Sequence, residues 1–515
     1  MITVIIAVYI RWIKNVFCVG NKSTLIRFIL PYGKSHIICL VHRLKTDENT
    51  MGYLDNDVRV IEDDKFREDL QRIAGYFQDA KKNLDHALLI SHSDADGYAS
   101  AAVLRYMLER EGISYSTRFY NRKGTWKQYL DGVLPQYDHI DSLAVFFSDI
   151  GSEVNELGRY FKENPSYVFI LDHHEMNSVE DDKLPPNFHY INPTTYGYDG
   201  LKEIAGAALV YLFVKEISLK NMNAAWMALV GITNDTLMNV QNYRSFNKMI
   251  VEEAASEEQI KLHQGLMVYG ATHESIKSAL AYSVFPFIRE TGGNPKIARD
   301  ILEDLHISPK KKVVDLDSSE VECINNRFPE NLMGQFIEFP KKKGILRYAF
   351  EHGLLISQLA FKSRAQAETL MNSTSTPIKS TEIYQTFIRG LTKNLGLFLK
   401  APKEFTDNVL FVDASRKLAL NYWSDVASYA SVNKLYNTDK ILLLGGLDGN
   451  AIKLSVRCHE NYPPLKEGKG VDVLINKLKQ NYSGMGGGHK LAGGYKVAPN
   501  RFKKLKQEID QYFPL

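Results

Sequence analysis

Residues 91–100 read Ser-His-Ser-Asp-Ala-Asp-Gly-Tyr-Ala-Ser and follow the apolar run 87–90, Ala-Leu-Leu-Ile. A short apolar run of this kind predicts a buried strand of a parallel sheet. His92, Asp94 and Asp96 alternate where that strand should end, and open α/β sheets bind their ligands at the carboxyl ends of the strands. Because ionisable side chains are costly to bury without a partner, the motif indicates a divalent metal ion.

Three further strand-like apolar runs end in acidic residues or histidines. They are 145–149 (Val-Phe-Phe-Ser-Asp), 167–174 (Tyr-Val-Phe-Ile-Leu-Asp-His-His) and 227–235 (Met-Ala-Leu-Val-Gly-Ile-Thr-Asn-Asp). Taken alone, Asp149 or Asp235 is better explained as the N-cap of a helix. Four such endings in succession are better explained by one metal site at one edge of a sheet.

A glycine-rich stretch near the end of the chain, residues 484–494, reads Gly-Met-Gly-Gly-Gly-His-Lys-Leu-Ala-Gly-Gly. Four segments of the chain resemble the four motifs of the DHH phosphoesterase superfamily. They are HxDADG at 92–97, the lone Asp149, DHH at 172–174 and GIxxDT at 231–236. The glycine-rich stretch resembles the GGGH signature of the DHH-associated domain. Within the superfamily the chain is most similar to RecJ-like single-strand-specific exonucleases of the archaeal type.

The resemblance covers most of residues 85–515 and implies an α/β fold. A doubly wound, mostly parallel sheet should form the DHH domain, with a smaller α/β C-terminal domain across a cleft. We predict an N-terminal extension of unknown role at 1–50, the DHH catalytic domain at 51–240, a helical insert and connector at 241–400, and a DHH-associated substrate-binding domain at 401–515.

Carboxylate and imidazole ligands suit two divalent ions, Mn²⁺ in preference and Mg²⁺ as the alternative, rather than zinc. Two ions about 3.5–4 Å apart clamp a phosphodiester, activate water and stabilise the leaving oxygen. By resemblance, Asp96 bridges the ions and Asp172 orients a neighbouring imidazole from outside the ligand set. The expected catalytic residues are Asp94, Asp96, Asp149, His173 and Asp235, and His92 joins them as a metal ligand.

Other residues are expected to hold the substrate. By resemblance, His174 contacts phosphate rather than metal, and Arg457 matches a phosphate-binding arginine. A loop of Gly486, Gly487 and Gly488 with His489 offers backbone N–H groups and an imidazole to a phosphate. Basic and aromatic residues interleave between 118 and 129, which suits stacking on single-stranded bases, although an aromatic core explains this segment equally well. The side chains concerned are Arg118, Tyr120, Arg122, Lys123 and Trp126.

The composition limits the remaining possibilities. With 63 Lys and Arg against 60 Asp and Glu, the chain has no overall nucleic-acid signature, so a binding groove must be a local patch. The apolar run 2–10 is shorter than the ~20 residues that a membrane helix needs. The four cysteines have no CxxC spacing, which favours free thiols in a reducing, cytoplasmic compartment.

We therefore predict a metal-dependent phosphodiesterase, an exonuclease on single-stranded DNA or RNA in replication or repair. One alternative is an oligoribonuclease or nucleotide phosphatase of the same superfamily, although such members lack a long helical insert. Another is a replication-complex scaffold without catalysis, against which the complete ligand set argues. The length of the insert indicates a docking surface, and by resemblance the expected partner is a GINS-type replication protein. No membrane contact is expected.

Overall fold

The computed structural model describes residues 64–120, 124–164, 166–176, 178–200, 202–236 and 239–513. The N-terminal extension predicted at 1–50 lies outside the described residues, and so do Arg122 and Lys123. Cys323 and Cys458 are free thiols.

A five-stranded parallel sheet forms the first layer of the fold. Its strands are β1 (His86–His92), β2 (Ser114–Tyr120), β3 (Leu143–Ser148), β4 (Tyr167–Leu171) and β5 (Phe188–Ile191). They are arranged in the order β2-β1-β3-β4-β5, and each neighbouring pair is parallel. All five carboxyl ends therefore lie at one edge.

Helices cover both faces of this sheet. They are α1 (Asp64–Ala80), α2 (Ala95–Glu111), α3 (Trp126–Val133), α4 (Val154–Tyr160), α5 (Gly206–Ile217), α6 (Ala225–Asp235) and α7 (Ser245–Ser256). Successive strand residues point to opposite faces. Leu88 and Ile90 accordingly pack in one core with Trp126, while Ala87 and Leu89 pack in the other. The predicted α/β class with a doubly wound, mostly parallel sheet is confirmed.

One element of the predicted strand pattern is wrong. The apolar run that precedes Asp235 is helix α6, not a strand. An unbroken apolar run fits a buried strand and a buried helix equally well, because neither exposes a polar face. The helix is buried because α2, α5 and α7 pack against it.

The middle of the chain is mostly helical, as predicted, but it also contains a two-stranded antiparallel sheet. The strands are β6 (Lys261–Leu266) and β7 (Met333–Glu338). The helices are α8 (Ile276–Tyr282), α9 (Pro295–Asp304), α10 (Ser318–Arg327), α11 (Ala349–Ala360), α12 (Arg364–Asn372) and α13 (Ile378–Leu399). Leu266, Leu280 and Leu302 belong to a separate hydrophobic core here, which makes this region more than a connector.

The last part of the chain forms a six-stranded mixed sheet. Its elements are β8 (Lys403–Phe405), β9 (Val409–Asp413), α14 (Trp423–Val432), β10 (Ile441–Asp448), β11 (Ala451–Arg457), α15 (Val471–Tyr482), β12 (Met485–Gly488), β13 (Ala492–Val497) and α16 (Pro499–Glu508). The strand order is β12-β13-β11-β10-β9-β8. The predicted glycine loop at 486–488 is thus wrong in form: it is the edge strand β12. Glycine is needed because a Cβ on Gly486 would lie 2.4 Å from Gly494 O across the hairpin.

The predicted domain boundaries at residues 240 and 400 fall between the three sheets and stay predictions. Within the described residues, no helix has both the length and the apolar character needed to cross a membrane.

Candidate metal centre

The first side chains of the site come from the junction of β1 and α2. His92 is the last residue of β1, and Asp94 is the N-cap of α2, where its side chain accepts a hydrogen bond from Gly97 N at 3.0 Å. Nδ1 of His92 lies 2.7 Å from Oδ2 of Asp94. A Cβ on Gly97 would lie 2.2 Å from His92 O, so glycine is what allows the strand to turn so directly into the helix.

Asp96 is held by the N-terminus of α5. Its Oδ2 accepts from Gly206 N at 2.8 Å and its Oδ1 from Ala207 N at 3.0 Å. The positive end of the helix dipole stabilises a carboxylate at this position. The approach is so close that a Cβ on Gly206 would lie 2.7 Å from Asp96 Oδ2, and one on Gly231 would lie 2.3 Å from Oδ1. Two glycines thus make room for this carboxylate.

Asp149 follows β3 directly and has a left-handed backbone, with φ at 57°. Few non-glycine residues adopt this conformation, and such residues are frequent at functional sites. Its backbone N donates to Leu171 O at 2.9 Å. Oδ1 lies 3.0 Å from Nε2 of His173, and Oδ2 lies 3.6 Å from Nδ1 of His92. Asp149 is no helix cap, because α4 begins only at Val154.

The DHH motif follows β4 directly. It supplies one carboxylate, Asp172, and two imidazoles, His173 and His174. Asp172 Oδ1 accepts from His173 N at 2.9 Å and lies 2.7 Å from Nδ1 of His174. Nδ1 of His173 contacts the carbonyl oxygen of Gly200, which leaves Nε2 directed at Asp149. Asp172 therefore lies where the sequence predicts a carboxylate that orients an imidazole.

The predicted metal ligands come together in three overlapping sets, and within each set the ligand atoms lie within 4.8 Å of one another. The sets are His92 with Asp94 and Asp149; Asp96 with His173 and Asp235; and Asp149 with His173 and His174. Asp149 and His173 each occur in two sets, whereas Asp96, the expected bridging residue, occurs in one. His174, expected on phosphate alone, also lies within ligand distance.

The electrostatics of the site call for cations. Oδ2 of Asp149 and Oδ2 of Asp235 are buried and accept no hydrogen bond from the described residues. Burial, together with the neighbouring charges of Asp149 and Asp235, raises the pKa of Asp96 well above its usual range. Burial also raises the pKa of Asp235 to about 6. Clustered, unpaired carboxylate oxygens of this kind are the donor set of a divalent cation, so these residues fit one.

The imidazoles of His92 and His173 are also surrounded by carboxylates that favour a positive charge. Burial by itself lowers the pKa of His92, but the charges of Asp94 and Asp149 outweigh it and raise that pKa. Burial is likewise outweighed at His173, where Asp149 and Asp235 raise the pKa of the imidazole. The carboxylates thus attract either protons on these rings or a metal ion that displaces those protons.

Residues of the C-terminal domain contact the DHH motif beside this centre. The ring centroids of His489 and His174 are 5.3 Å apart, and His489 lies in the turn between β12 and β13. Beside this contact, Lys490 Nζ lies 2.6 Å from Glu175 Oε1, and Lys202 Nζ lies 2.6 Å from Glu460 Oε2. His489, 315 positions from His174 in sequence, is therefore brought beside the DHH motif, as the phosphate-binding prediction requires.

Arg457 has most of its donors engaged within the C-terminal domain. Its guanidinium donates to Ser428 Oγ and Ser424 Oγ of α14, both at 3.0 Å. It also donates to the carbonyl oxygens of Val456 at 2.8 Å and Gly493 at 3.1 Å. Burial lowers the pKa of Arg457 to about 10. A guanidinium has five N–H groups, and Arg457 already donates four hydrogen bonds within the protein. Few of its N–H groups are left for a phosphate, and the binding of phosphate by Arg457 stays a prediction.

The predicted nucleic-acid segment is mostly core. Tyr120 and Trp126 are 6% and 4% exposed, their ring centroids are 4.7 Å apart, and both pack against the strands of the first sheet. Buried rings present no free face to bases, so the stacking prediction is wrong for these two residues. Arg118 is half-buried and donates to Gln136 Oε1 at 3.0 Å.

Sequence reasoning missed a group on α11, in the middle region. Ser357 Oγ accepts from Ala95 N at 3.1 Å, between Asp94 and Asp96. Asn234, beside Asp235, donates to Phe350 O at 3.0 Å. Neither contact has a sequence signal, because Ser357 is 262 positions from Ala95. The middle region therefore forms part of the wall of the site.

No family model matches the sequence. An uncharacterised protein of Methanocaldococcus jannaschii is 24% identical over 432 residues, which are 82% of this chain and 92% of that protein. The structure resembles CDC45 from Entamoeba histolytica with a TM-score of 0.64 and 13% identity over 87% of this chain and 99% of that chain.

A second solved structure is the DHH domain of a member of a family of ribosomal proteins. It has a TM-score of 0.51 and 13% identity, over 90% of this chain and 97% of that chain. The chain shares the fold of CDC45 and of this DHH domain. RecJ from Thermus thermophilus in complex with Mn²⁺ also matches, with a TM-score of 0.49 and 15% identity over 86% of this chain and 54% of that chain. In the structure of this chain, the DHH motif and the glycine-rich hairpin face each other through His174 and His489.

Proposed function

We propose that this protein is a metal-dependent phosphodiesterase that degrades single-stranded DNA or RNA from an end. The observation that carries the proposal is the set of three overlapping ligand clusters, in which Asp149 and His173 are shared. Shared ligands bring two ions close together, as a two-metal hydrolase needs. A cytoplasmic role in replication or repair follows from the same proposal.

The ligands divide between two positions. His92, Asp94 and Asp149 would hold one divalent ion, and Asp96, His173 and Asp235 would hold the other. Asp149 belongs to two of the ligand sets, so it would be the shared residue, a role that the resemblance assigns to Asp96. Two such ions, Mn²⁺ or Mg²⁺, supply charge that polarises a phosphodiester and lowers the pKa of water.

Residues other than those assigned to the two ion positions hold the substrate. His489 faces His174 from the C-terminal sheet, so both imidazoles bind the phosphate that lies between the domains. Lys490 pairs with Glu175 and Lys202 pairs with Glu460, so each ion pair joins the C-terminal domain to the DHH domain. Exposed pairs of this kind are worth about 0–1 kcal/mol, so a nucleic-acid backbone can compete for both lysines.

Hydrolysis by the purified chain is the decisive test. End-labelled single-stranded DNA, single-stranded RNA, duplex DNA and dinucleotides are incubated with Mn²⁺, Mg²⁺ or EDTA, and the product ladders are read. We expect stepwise shortening of single strands with Mn²⁺ and loss of activity with EDTA.

Two variants tie this activity to the site. Asp149→Asn should abolish hydrolysis and weaken Mn²⁺ binding in calorimetry, because it removes the shared carboxylate. Asp141→Asn is the matched control, since Asp141 is exposed beside the opposite, amino end of β3. Equal activity of Asp149→Asn and Asp141→Asn would refute the proposed centre. Cleavage of dinucleotides alone would favour the oligoribonuclease alternative.

A second candidate is a replication-complex protein without catalysis. It is favoured by the likeness to CDC45 over 87% of this chain and 99% of that chain, although a likeness at 13% identity concerns the fold alone. Under this candidate the chain binds no Mn²⁺ at the cluster and hydrolyses nothing. Calorimetric Mn²⁺ titration of the wild type and of Asp149→Asn separates the two candidates.

The middle region is also proposed as a docking surface for a GINS-type replication protein. Phe361 and Ile378, on either side of α12, are 76% and 80% exposed. Exposed apolar surface marks a protein interface where it forms one patch, and the proposal is that these two residues belong to such a patch. Phe361→Ser with Ile378→Ser should weaken binding of the purified GINS-type partner about tenfold in calorimetry. Unchanged binding with unchanged hydrolysis would contradict the docking role.

A further inference from the structure

A cavity of about 280 Å³ opens beside the metal centre, at the carboxyl end of the parallel sheet. The volume lies near the ~300 Å³ lower end of small-ligand pockets, so one nucleoside fills it. Its lining includes Glu175, Met176, Asp181, Tyr190, Thr194 and Thr195.

The cavity is tied to the DHH motif by one buried side chain. Glu175 follows His174 directly in the chain. Asn192 Nδ2 donates to His174 O at 2.7 Å, and Asn192 Oδ1 accepts from Thr194 N at 2.9 Å. The turn that forms one wall of the cavity is therefore fixed to the backbone of the motif. Any group bonded to a phosphate at the metal centre has this cavity next to it.

Three hydroxyl groups of the cavity, those of Tyr190, Thr194 and Thr195, donate their protons within the protein. Tyr190 donates to Asp181 Oδ1 at 2.9 Å. Thr194 Oγ1 donates to Asn192 Oδ1 at 2.7 Å, and Thr195 Oγ1 donates to Asn192 O at 2.8 Å. A hydroxyl has one proton and two lone pairs, and a carboxylate only accepts. These three hydroxyl groups and the carboxylate of Asp181 therefore offer a ligand hydrogen-bond acceptors, and the hydroxyl of Ser178, which also lines the cavity, can accept as well.

We propose that this cavity binds the nucleoside next to the scissile phosphate through a hydrogen-bond donor of that nucleoside. The donor is an exocyclic amine of the base or the 2′-hydroxyl of ribose. A second phosphate is excluded, because the carboxylate of Asp181 repels it. The inference rests on the proposed function and adds a nucleoside preference to it. Met176 supplies an apolar wall for the base or sugar.

Three oligomers separate the two donors. Oligo(dC) and oligo(dU) differ at C4 of the base, where cytosine has the exocyclic amine and uracil a carbonyl, and at N3, which carries a proton only in uracil. Oligo(rU) and oligo(dU) differ only in the 2′-hydroxyl. With the full chain and Mn²⁺, we expect oligo(dC) or oligo(rU) to be cleaved about tenfold faster than oligo(dU), the effect of one hydrogen bond to a charged acceptor.

Asp181→Asn should reduce this preference to within about twofold, because the amide presents a donor where the carboxylate accepted. Asp182→Asn is the matched control, since Asp182 is the exposed neighbour and is not among the residues lining the cavity. Equal cleavage of all three oligomers by the wild type overturns the inference. A preference that survives in Asp181→Asn overturns it as well.

Binding separates this inference from the proposed function. Fluorescence anisotropy without divalent ions measures the affinity of the chain for each oligomer while no hydrolysis takes place. Binding discrimination that Asp181→Asn removes, without any hydrolysis by the wild type, supports the cavity and refutes the phosphodiesterase. Hydrolysis with equal binding and equal rates refutes the cavity alone.

Discussion

Replacing Gly206 by alanine tests how tightly the metal centre is packed. A Cβ at this position would lie 2.7 Å from Asp96 Oδ2 and 2.8 Å from Asp149 Oδ1. Real Cβ atoms essentially never come within 3.0 Å of another group. Both carboxylates must therefore move by roughly 0.6–1.3 Å to reach the 3.4–4 Å of ordinary van der Waals contact.

The substitution should impair the site more than the fold. Gly206 is the first residue of α5, and alanine favours a helix over glycine by up to about 1 kcal/mol. Against this gain stands the weakened bond from Gly206 N to Asp96, since hydrogen bonds to charged groups contribute about 1.5–3 kcal/mol. A misplacement of about 1 Å lowers catalysis by about 10²-fold. We expect hydrolysis and Mn²⁺ affinity to fall by about 10- to 100-fold, with a small change in melting temperature.

The assay compares Gly206→Ala with Gly75→Ala in α1, where an added Cβ meets no atom within 4 Å. Calorimetry gives the Mn²⁺ affinity, thermal melting gives the stability, and shortening of labelled single strands gives the activity. Gly75→Ala should match the wild type in all three. If Gly206→Ala keeps Mn²⁺ affinity and activity within threefold of the wild type, the close packing of Asp96 and Asp149 has no functional role.

Three further changes test other parts of the structure. Ser357→Ala removes the acceptor of Ala95 N and should weaken Mn²⁺ binding about tenfold, with recovery in Ser357→Thr; equal affinities of the two variants would contradict this. Burial raises the pKa of Glu351 from 4.5 to about 8. Between these pH values the folded state keeps a proton on Glu351 that the unfolded state has lost. The stability of the wild type therefore falls as the pH rises from 4.5 to about 8. Glu351→Gln should therefore melt higher than the wild type at pH 8, with a smaller difference at pH 5; parallel pH profiles would count against it. His489→Ala should weaken binding of single strands while Mn²⁺ affinity stays unchanged, and a loss of Mn²⁺ affinity as large as that of Asp235→Ala would show that its role is misassigned.

The sequence pattern predicted a feature correctly where metal-binding residue types directly follow a strand-like apolar run. The alternation of His92, Asp94 and Asp96 after an apolar run placed these side chains correctly at a strand end, because parallel strands carry ligands at their carboxyl ends. The same pattern failed for the run before Asp235, which is the helix α6. Apolar character alone does not distinguish a buried helix from a buried strand.

Aromatic residues show the second limit of sequence reasoning. Tyr120 and Trp126 are interleaved with basic residues, a pattern typical of single-strand binding, yet both rings are buried against the sheet. The pattern records which side chains are present. Burial depends on which elements pack against the segment, and that is a property of the whole fold.

By itself the sequence determined the α/β class and the residue types of the metal centre, because strand periodicity and ligand chemistry are local properties. Only the tertiary structure decided that Asp149 rather than Asp96 is shared between ligand sets, that Ser357 supports the site from 262 positions away, and that His489 faces His174. These relations are distances between residues far apart in the chain. Packing of helices and sheets sets such distances, and the order of residues along the chain does not contain them.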